Sequence, residues 1–306
     1  MVQENCLNNS IIVICGPTAS GKSELAIRVA KELNSEIVCA DSLTIYRGLD
    51  IGTAKVTENE RCGIKHHMID VVNPNEEFSV VDYKEMAIPI VDNILSKGKI
   101  PIICGGTGFY INSILFNLSY GNVPANLEAR EKYLKLANDY GNNFVYDILM
   151  KVDPLTAKKL HPNDVKRVVR ALETYESGYL KSDINDDMSP RYNYHAFTID
   201  MDRNKLYNRI NLRADLLIEK GLIEEIKRLM ALGITSNNQC MQGIGYKEIY
   251  SYLTGELSLN ESIELLKLNT RRYAKRQITF FKKLPNLINL TSDSIDENVK
   301  RILEII

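Results

Sequence analysis

The sequence predicts an α/β protein: a parallel sheet flanked by helices, interrupted by an all-helical insertion. Three observations carry this. Short, wholly apolar runs alternate with segments of helical spacing through the first third of the chain. One such run ends in a glycine-rich turn that opens a helix. From about residue 119 onward the apolar spacing is helical, with no strand-like run before the polar stretch 181–194. Apolar strands joined through helices belong to parallel, doubly wound sheets, because both faces of such a sheet are covered.

Taken in order, Ile11–Cys15 (IIVIC) reads as a buried strand and Lys22–Leu33 as the helix after it. Glu36–Ala40 and Met68–Val72 are the next strands, Asp82–Leu95 the next helix, and Ile100–Cys104 (IPIIC) another buried strand. In the insertion, helical spacing covers Leu127–Leu136, Asn143–Val152, Pro154–Lys159 and Asp164–Ser177. A strand returns at His195–Ile199. Arg203–Leu232 supports long helices, Ser262–Lys283 is another, and Leu287–Leu290 closes the sheet. The core therefore occupies residues 1–118 and 195–306, and the helical insertion 119–194.

The 306 residues suffice for a sizeable core without metal or disulfide staples. Hydrophobic residues at 44% and charged ones at 25% exclude a disordered or fibrous chain. With 38 basic against 39 acidic residues, a polyanion would have to meet a local basic patch rather than an overall positive charge. The six cysteines (Cys6, Cys15, Cys39, Cys62, Cys104, Cys240) form no CxxC pair and read as reduced thiols. The start MVQENCLNNS lacks signal-peptide features, and no apolar run approaches the ~18 residues of a membrane span. The expectation is a cytoplasmic protein with no membrane partner and a monomer by default.

Residues 16–23, GPTASGKS, match G-x-x-x-x-G-K-[ST] between a strand and a helix. Gly16 and Gly21 let the backbone curl so that its N–H groups face a phosphate, and the helix N-terminus adds partial positive charge. Lys22 contributes a full charge, and the Ser23 hydroxyl is placed to ligate Mg²⁺. This is a P-loop, and the core is accordingly P-loop NTPase-like. The motif alone leaves kinases, NTPases and diphosphate-handling transferases open. Asp41, at the carboxyl end of the next strand, lies at the ligand crevice of such a sheet as a magnesium ligand, a general base or a cap for the segment after it. The turn Gly105-Gly106-Thr107 opens into the same crevice.

GPTASGKS joins further stretches: ADS (40–42), YRGLDIGTAK (46–55), HHMIDVVNP (66–74), GGTGFYI (105–111), HPNDVKRVVRALETYESG (161–178), LYNRINLRAD (206–215), QGIGYKE (242–248) and TRRYAKRQITF (270–280). On these the chain resembles the bacterial tRNA dimethylallyltransferase (IPP transferase) family, from Ile11 to about Lys283. The resemblance implies transfer of a dimethylallyl group from dimethylallyl diphosphate to N6 of adenosine 37 in tRNA, with Mg²⁺ as cofactor. Gly16, Pro17, Thr18, Ala19, Ser20, Gly21, Lys22 and Ser23 would then hold a diphosphate leaving group rather than ATP, with Arg209 and Arg213 beside it. Asp41 would take the proton of the attacking amine, and Lys22, Ser23 and Thr107 would complete the catalytic set. A base in the anticodon loop would be flipped out to meet the donor.

Several segments would contact the tRNA anticodon stem-loop. Asp41, Ser42, Leu43, Thr44 and Thr107 match positions at the target nucleotide. Arg130, Lys166, Arg167, Val168, Val169 and Arg170 lie in the insertion that would grip the stem-loop, and Gln242, Gly243, Tyr246 and Lys247 in the QGIGYKE segment. On the last long helix, Arg272, Lys275, Arg276, Thr279 and Lys283 fall within an arc of about 100°, opposite Ala274, Ile278 and Phe281. Without the resemblance such a stripe equally suits a solvated surface, and Arg209 and Arg213 equally suit pairing with Asp215 or Glu219. Two positions depart from the family: Thr44 stands where it usually has Gln, and Phe280 where Trp is common. Adjacent His66 and His67 point apart and have no partner at metal-ligand spacing, and His161 reads as part of a helix start. The rival reading is a P-loop kinase acting on a nucleoside or small metabolite. A third is a tRNA-binding chain that has lost catalysis.

Overall fold

The structure, a computed structural model, describes residues 9–119, 126–184 and 187–306. It falls into a core unit, Met1–Leu115 with Pro190–Ile306, and a helical unit, Phe116–Ser189. The described residues form six strands, β1 (Ser10–Cys15), β2 (Ile37–Ala40), β3 (His66–His67), β4 (Ile102–Gly105), β5 (Asn193–Ile199) and β6 (Leu287–Leu290). They form one sheet in the order β3-β2-β4-β1-β5-β6, with every pair parallel. β1 is buried at all six residues, as its unbroken apolar run requires.

Helices α1 (Lys22–Glu32), α2 (Val80–Ser96) and α3 (Gly108–Leu115) connect the first strands. The helical unit holds α4 (Leu127–Tyr140), α5 (Asn142–Val152), α6 (Pro154–Ala157) and α7 (Val165–Glu176). The core resumes with α8 (Arg203–Glu219), α9 (Leu222–Ala231), α10 (Tyr246–Leu253), α11 (Leu259–Phe281) and α12 (Ile295–Ile305). Among the described residues no helix is long and apolar enough to cross a membrane. One core cluster packs α1 against the sheet, with Ile12, Ile14, Leu25 and Val29 fully buried. The helical unit has its own core, in which Val145, Leu149, Val168 and Leu172 are fully buried.

Three expectations are corrected. Met68–Val72 is not a strand: Met68 and Asp70 adopt left-handed backbone (φ 60° and 55°), and the ladder is confined to His66–His67, with one isolated bridge from Val72 to Tyr46. Met68 and Val72 are apolar because they are buried, not because they pair. The insertion spans 116–189 rather than 119–194, since Asn193 and Tyr194 already pair with β1. The last long helix ends at Phe281 and starts three residues early, at Leu259, because Ser258 and Glu261 form a reciprocal capping box that fixes its first turn. Cys6 and the start of the chain lie outside the described residues, as do residues 185–186 of the polar segment; the other five cysteines are free.

Candidate active site at the carboxyl edge of the sheet

Cys15, Gly105 and Ala40 stand in one row across β1, β4 and β2. The turns that follow these strands therefore leave the sheet side by side, bringing together residues from three distant parts of the sequence. The row is tight: a Cβ on Gly105 would lie 2.0 Å from the Ala40 carbonyl oxygen, so only glycine fits. Against this edge lies a cavity of about 460 Å³, whose lining includes Thr18, Lys22, Ser23, Asp41 and Arg213. Size and position suit a small-molecule site at the carboxyl ends of parallel strands.

The phosphate loop has the backbone its sequence requires. Ala19 and Gly21 are left-handed (φ 63° and 98°), and Gly21 caps α1 without a side-chain hydrogen bond. Leu25 is the first to bond back within the helix, to Gly21 O at 3.2 Å. The amides before it have no intrahelical acceptor and are free to meet an anion. Lys22 Nζ donates to the Pro17 carbonyl at 3.2 Å, and burial pulls its pKa below the ordinary lysine value. Ser20 Oγ is buried without a hydrogen-bond partner among the described residues.

Asp41 and the Gly105-Gly106-Thr107 turn hold each other. Thr107 Oγ1 accepts the Ser42 amide at 3.0 Å, and the Thr107 amide donates to Ala40 O at 3.0 Å. Asp41 Oδ1 accepts the Leu43 amide at 3.0 Å, so half of the carboxylate does cap its own turn. Its other oxygen has no hydrogen-bond partner among the described residues. Leu43 and Thr44 line the cavity, as do Gln242, Gly243 and Lys247.

On α8, Arg213 Nη2 donates to the Thr53 carbonyl at 3.3 Å, and burial lowers the pKa of its guanidinium. Arg209 Nη2 lies against Gly21 of the phosphate loop. Asp215, a rival partner for these arginines, is instead bonded to Lys267 at 2.8 Å. Ser23 and Asp41, both lining the cavity, are hard oxygen donors, the type Mg²⁺ takes. No cluster of three or more His, Cys, Asp or Glu with metal-holding geometry occurs among the described residues.

Two residues of α11 were missed by the sequence reading. Gln277, 5% exposed, accepts the Thr18 amide through Oε1 and donates to the Gly106 carbonyl through Nε2, both at 2.9 Å. It straps the phosphate loop to the Gly106 turn. Tyr273 lines the cavity with its ring 5.6 Å from the Arg276 guanidinium. Burial, reinforced by the Asp41 charge, pushes its phenol up to about 12. Both lie inside TRRYAKRQITF, but only a long-range contact gives either one a role.

Other expectations are redistributed. Arg272, Lys275, Arg276 and Lys283 are exposed, with Ala274 and Phe281 buried and Ile278 packed on the core cluster opposite; Lys283 lies just past the end of α11. In the helical unit, Lys166 and Arg167 are exposed, whereas Arg130 and Arg170 both reach the fully buried Glu173 carboxylate. Val168 and Val169 are buried at 0% and 2% exposure, so their side chains serve that unit's core and not an RNA surface. The Tyr246 side chain is likewise buried, its hydroxyl bonded to Glu225 at 2.6 Å, and so faces the core. His67 pairs with Glu36 at 2.7 Å, His66 with the Ile64 carbonyl at 2.8 Å, and His161 accepts the Asn163 amide.

Residues 44–284 match the family model described as IPP transferase. The chain belongs to the IPP transferase family. It is 49% identical over 298 residues to the tRNA dimethylallyltransferase of Acetivibrio thermocellus, covering 96% of this chain and 95% of that protein. The tRNA dimethylallyltransferase of Alkaliphilus oremlandii is 44% identical over the same shares of the two chains. The crystal structure of the full-length tRNA isopentenylpyrophosphate transferase of Bacillus halodurans superposes with a TM-score of 0.74 at 40% identity, covering 97% of this chain and 95% of that one. A eukaryotic dimethylallyltransferase, solved acting on tRNA, gives a TM-score of 0.79 at 30% identity, over 94% of this chain and 75% of that one. Membership accounts for the parallel sheet flanked by helices and for the phosphate loop at its centre.

Proposed function

We propose that this enzyme transfers a dimethylallyl group from dimethylallyl diphosphate to N6 of adenosine 37 in tRNA. The observation that carries the reading is the shared row of three turns. A phosphate loop and a carboxylate with one oxygen to spare border one cavity.

The phosphate loop amides, Lys22, Arg209 and Arg213 hold the diphosphate. As N6 bonds to C1 of the prenyl group, the C1–O bond breaks and its electron pair leaves on the diphosphate. Positive groups already fixed in place stabilise that charge as it develops. Asp41 accepts the amine proton, which makes the delocalised N6 lone pair available for attack. Thr107 keeps the Asp41 turn in place. Ser23 is the residue that would hold Mg²⁺, which when bound neutralises diphosphate charge. RNA is held electrostatically by Arg272, Lys275, Arg276 and Lys283, and in the helical unit by Lys166 and Arg167.

The direct test incubates the protein with Mg²⁺, dimethylallyl diphosphate and an unmodified anticodon stem-loop containing adenosine 37, followed by mass spectrometry of the RNA. One added dimethylallyl group at that base supports the reading. No addition, with ATP consumed in a parallel reaction, rejects it in favour of a kinase.

A further inference from the structure

Glu225 on α9 is 1% exposed, and its carboxylate oxygens meet only donors. Oε2 accepts the amides of Asp50 at 2.9 Å and Ile51 at 2.7 Å. Oε1 accepts the amide of Gly52 at 3.0 Å and the Tyr246 hydroxyl at 2.6 Å. Three successive N–H groups aimed at one carboxylate make an anion nest. Here the anion is one of the chain's own side chains. Tyr246 closes the other side, since a Cβ on Gly52 would fall 2.6 Å from its ring. The turn is thus gripped between a carboxylate and an aromatic face.

The grip reaches the cavity one residue later. Thr53 lines it, and the Thr53 carbonyl accepts Arg213 Nη2 at 3.3 Å. Beyond Thr53, Lys55 anchors the segment from below, 9% exposed and donating to the Tyr46 carbonyl at 2.9 Å and to Asp50 and Asp70 at 2.6 Å each. With both flanks fixed, the carbonyl has little freedom, and one arm of the guanidinium fork is held by it. The planar fork then sets the direction of the remaining donors.

We propose that Glu225 is a positioning residue for the diphosphate: it sets the 50–52 turn, and through the Thr53 carbonyl it aims Arg213. This rests on the reading above, in which Arg213 holds diphosphate. Glutamine at 225 would turn an NH₂ towards groups that are themselves donors, so part of the nest is lost and the turn relaxes.

The test is calorimetric binding of inorganic diphosphate with Mg²⁺ to the full chain, in a double-mutant cycle. Glu225→Gln is expected to weaken binding about tenfold in the otherwise unaltered protein, and less than about twofold when Arg213→Ala is already present. Tyr246→Phe keeps the ring against Gly52 and removes one bond, so it should weaken binding about threefold with the same dependence on Arg213; it carries the test if Glu225→Gln does not fold. A purely structural role predicts equal factors in both backgrounds, and that result overturns the proposal, as does unchanged affinity in both single variants. Should Arg213→Ala alone leave diphosphate affinity unchanged, Arg213 is no diphosphate ligand and the relay falls with it. Equal factors beside a weakened Arg213→Ala overturn the relay alone.

Discussion

Replacing Gln277 by leucine separates the phosphate loop from the Gly106 turn while filling most of the same space. Two backbone groups lose their partner, the Thr18 N–H and the Gly106 carbonyl. Each such group left unsatisfied in the interior costs about 1–3 kcal/mol. Gly106 is buried, whereas Thr18 borders the cavity, where water can replace the lost acceptor. The carbonyl therefore sets most of the cost, and the sum is about 2–4 kcal/mol. In a body of this size that lowers the melting temperature by about 5–10 °C. On the proposed function the effect on turnover is larger, because Thr18 opens the loop that would meet the leaving group, and a small displacement there costs roughly 10–100-fold. Circular-dichroism melting and single-turnover prenylation measure the two. A variant melting within about 1 °C of the parent with unchanged turnover would refute the strap.

Other consequences are tested more briefly. Asp41→Ala should lower turnover about 100-fold or more while leaving RNA affinity nearly intact, measured by single-turnover kinetics and filter binding; an unchanged rate removes the general-base role. Arg272→Ala with Arg276→Ala should weaken stem-loop binding and flatten its salt dependence by about 1–2 in the log–log slope, with diphosphate binding spared. Glu36 is buried, which raises its pKa, but the His67 hydrogen bond and the charges of Lys97 and Lys65 outweigh burial and hold it below 4.5. A carboxylate with a depressed folded pKa contributes stability above its unfolded pKa and loses it as pH falls through the folded one. Glu36→Gln should therefore cost about 1–2 kcal/mol at pH 7, and the gap in thermal stability should close below about pH 4.5. A gap of constant size down to pH 3 would contradict the assignment.

What could be read in the sequence depended on range. β1 and the phosphate loop were legible because a continuous apolar run and an eight-residue motif are local signals. Asp41 and the Gly105–Thr107 turn followed from strand ends alone. Met68–Val72 misled because burial makes a turn as apolar as a strand. Tyr246 and Val168 misled for a related reason: a stretch of sequence near other contact residues does not reveal which side chains point inward. α10 and α12 passed without notice, being short helices in ordinary composition. Glu225 and Gln277 were out of reach, since neither has a neighbour in sequence that shares its role. Their partners lie 173 and 259 positions away.

That last separation bears on the order in which the chain becomes competent. The phosphate loop is complete as sequence once residue 23 has been made, and its strand is the centre of the sheet. The bond that fixes Thr18 nevertheless waits for α11, near the far end of the chain. Contacts of such separation form late, after the entropy of closing the long intervening loop has been overcome. An emerging chain, or one cut short ahead of α11, would therefore carry the whole motif without the strut that shapes it. On the function proposed above, diphosphate binding would be a property of the finished fold, and its onset during synthesis would report that the last long helix has docked.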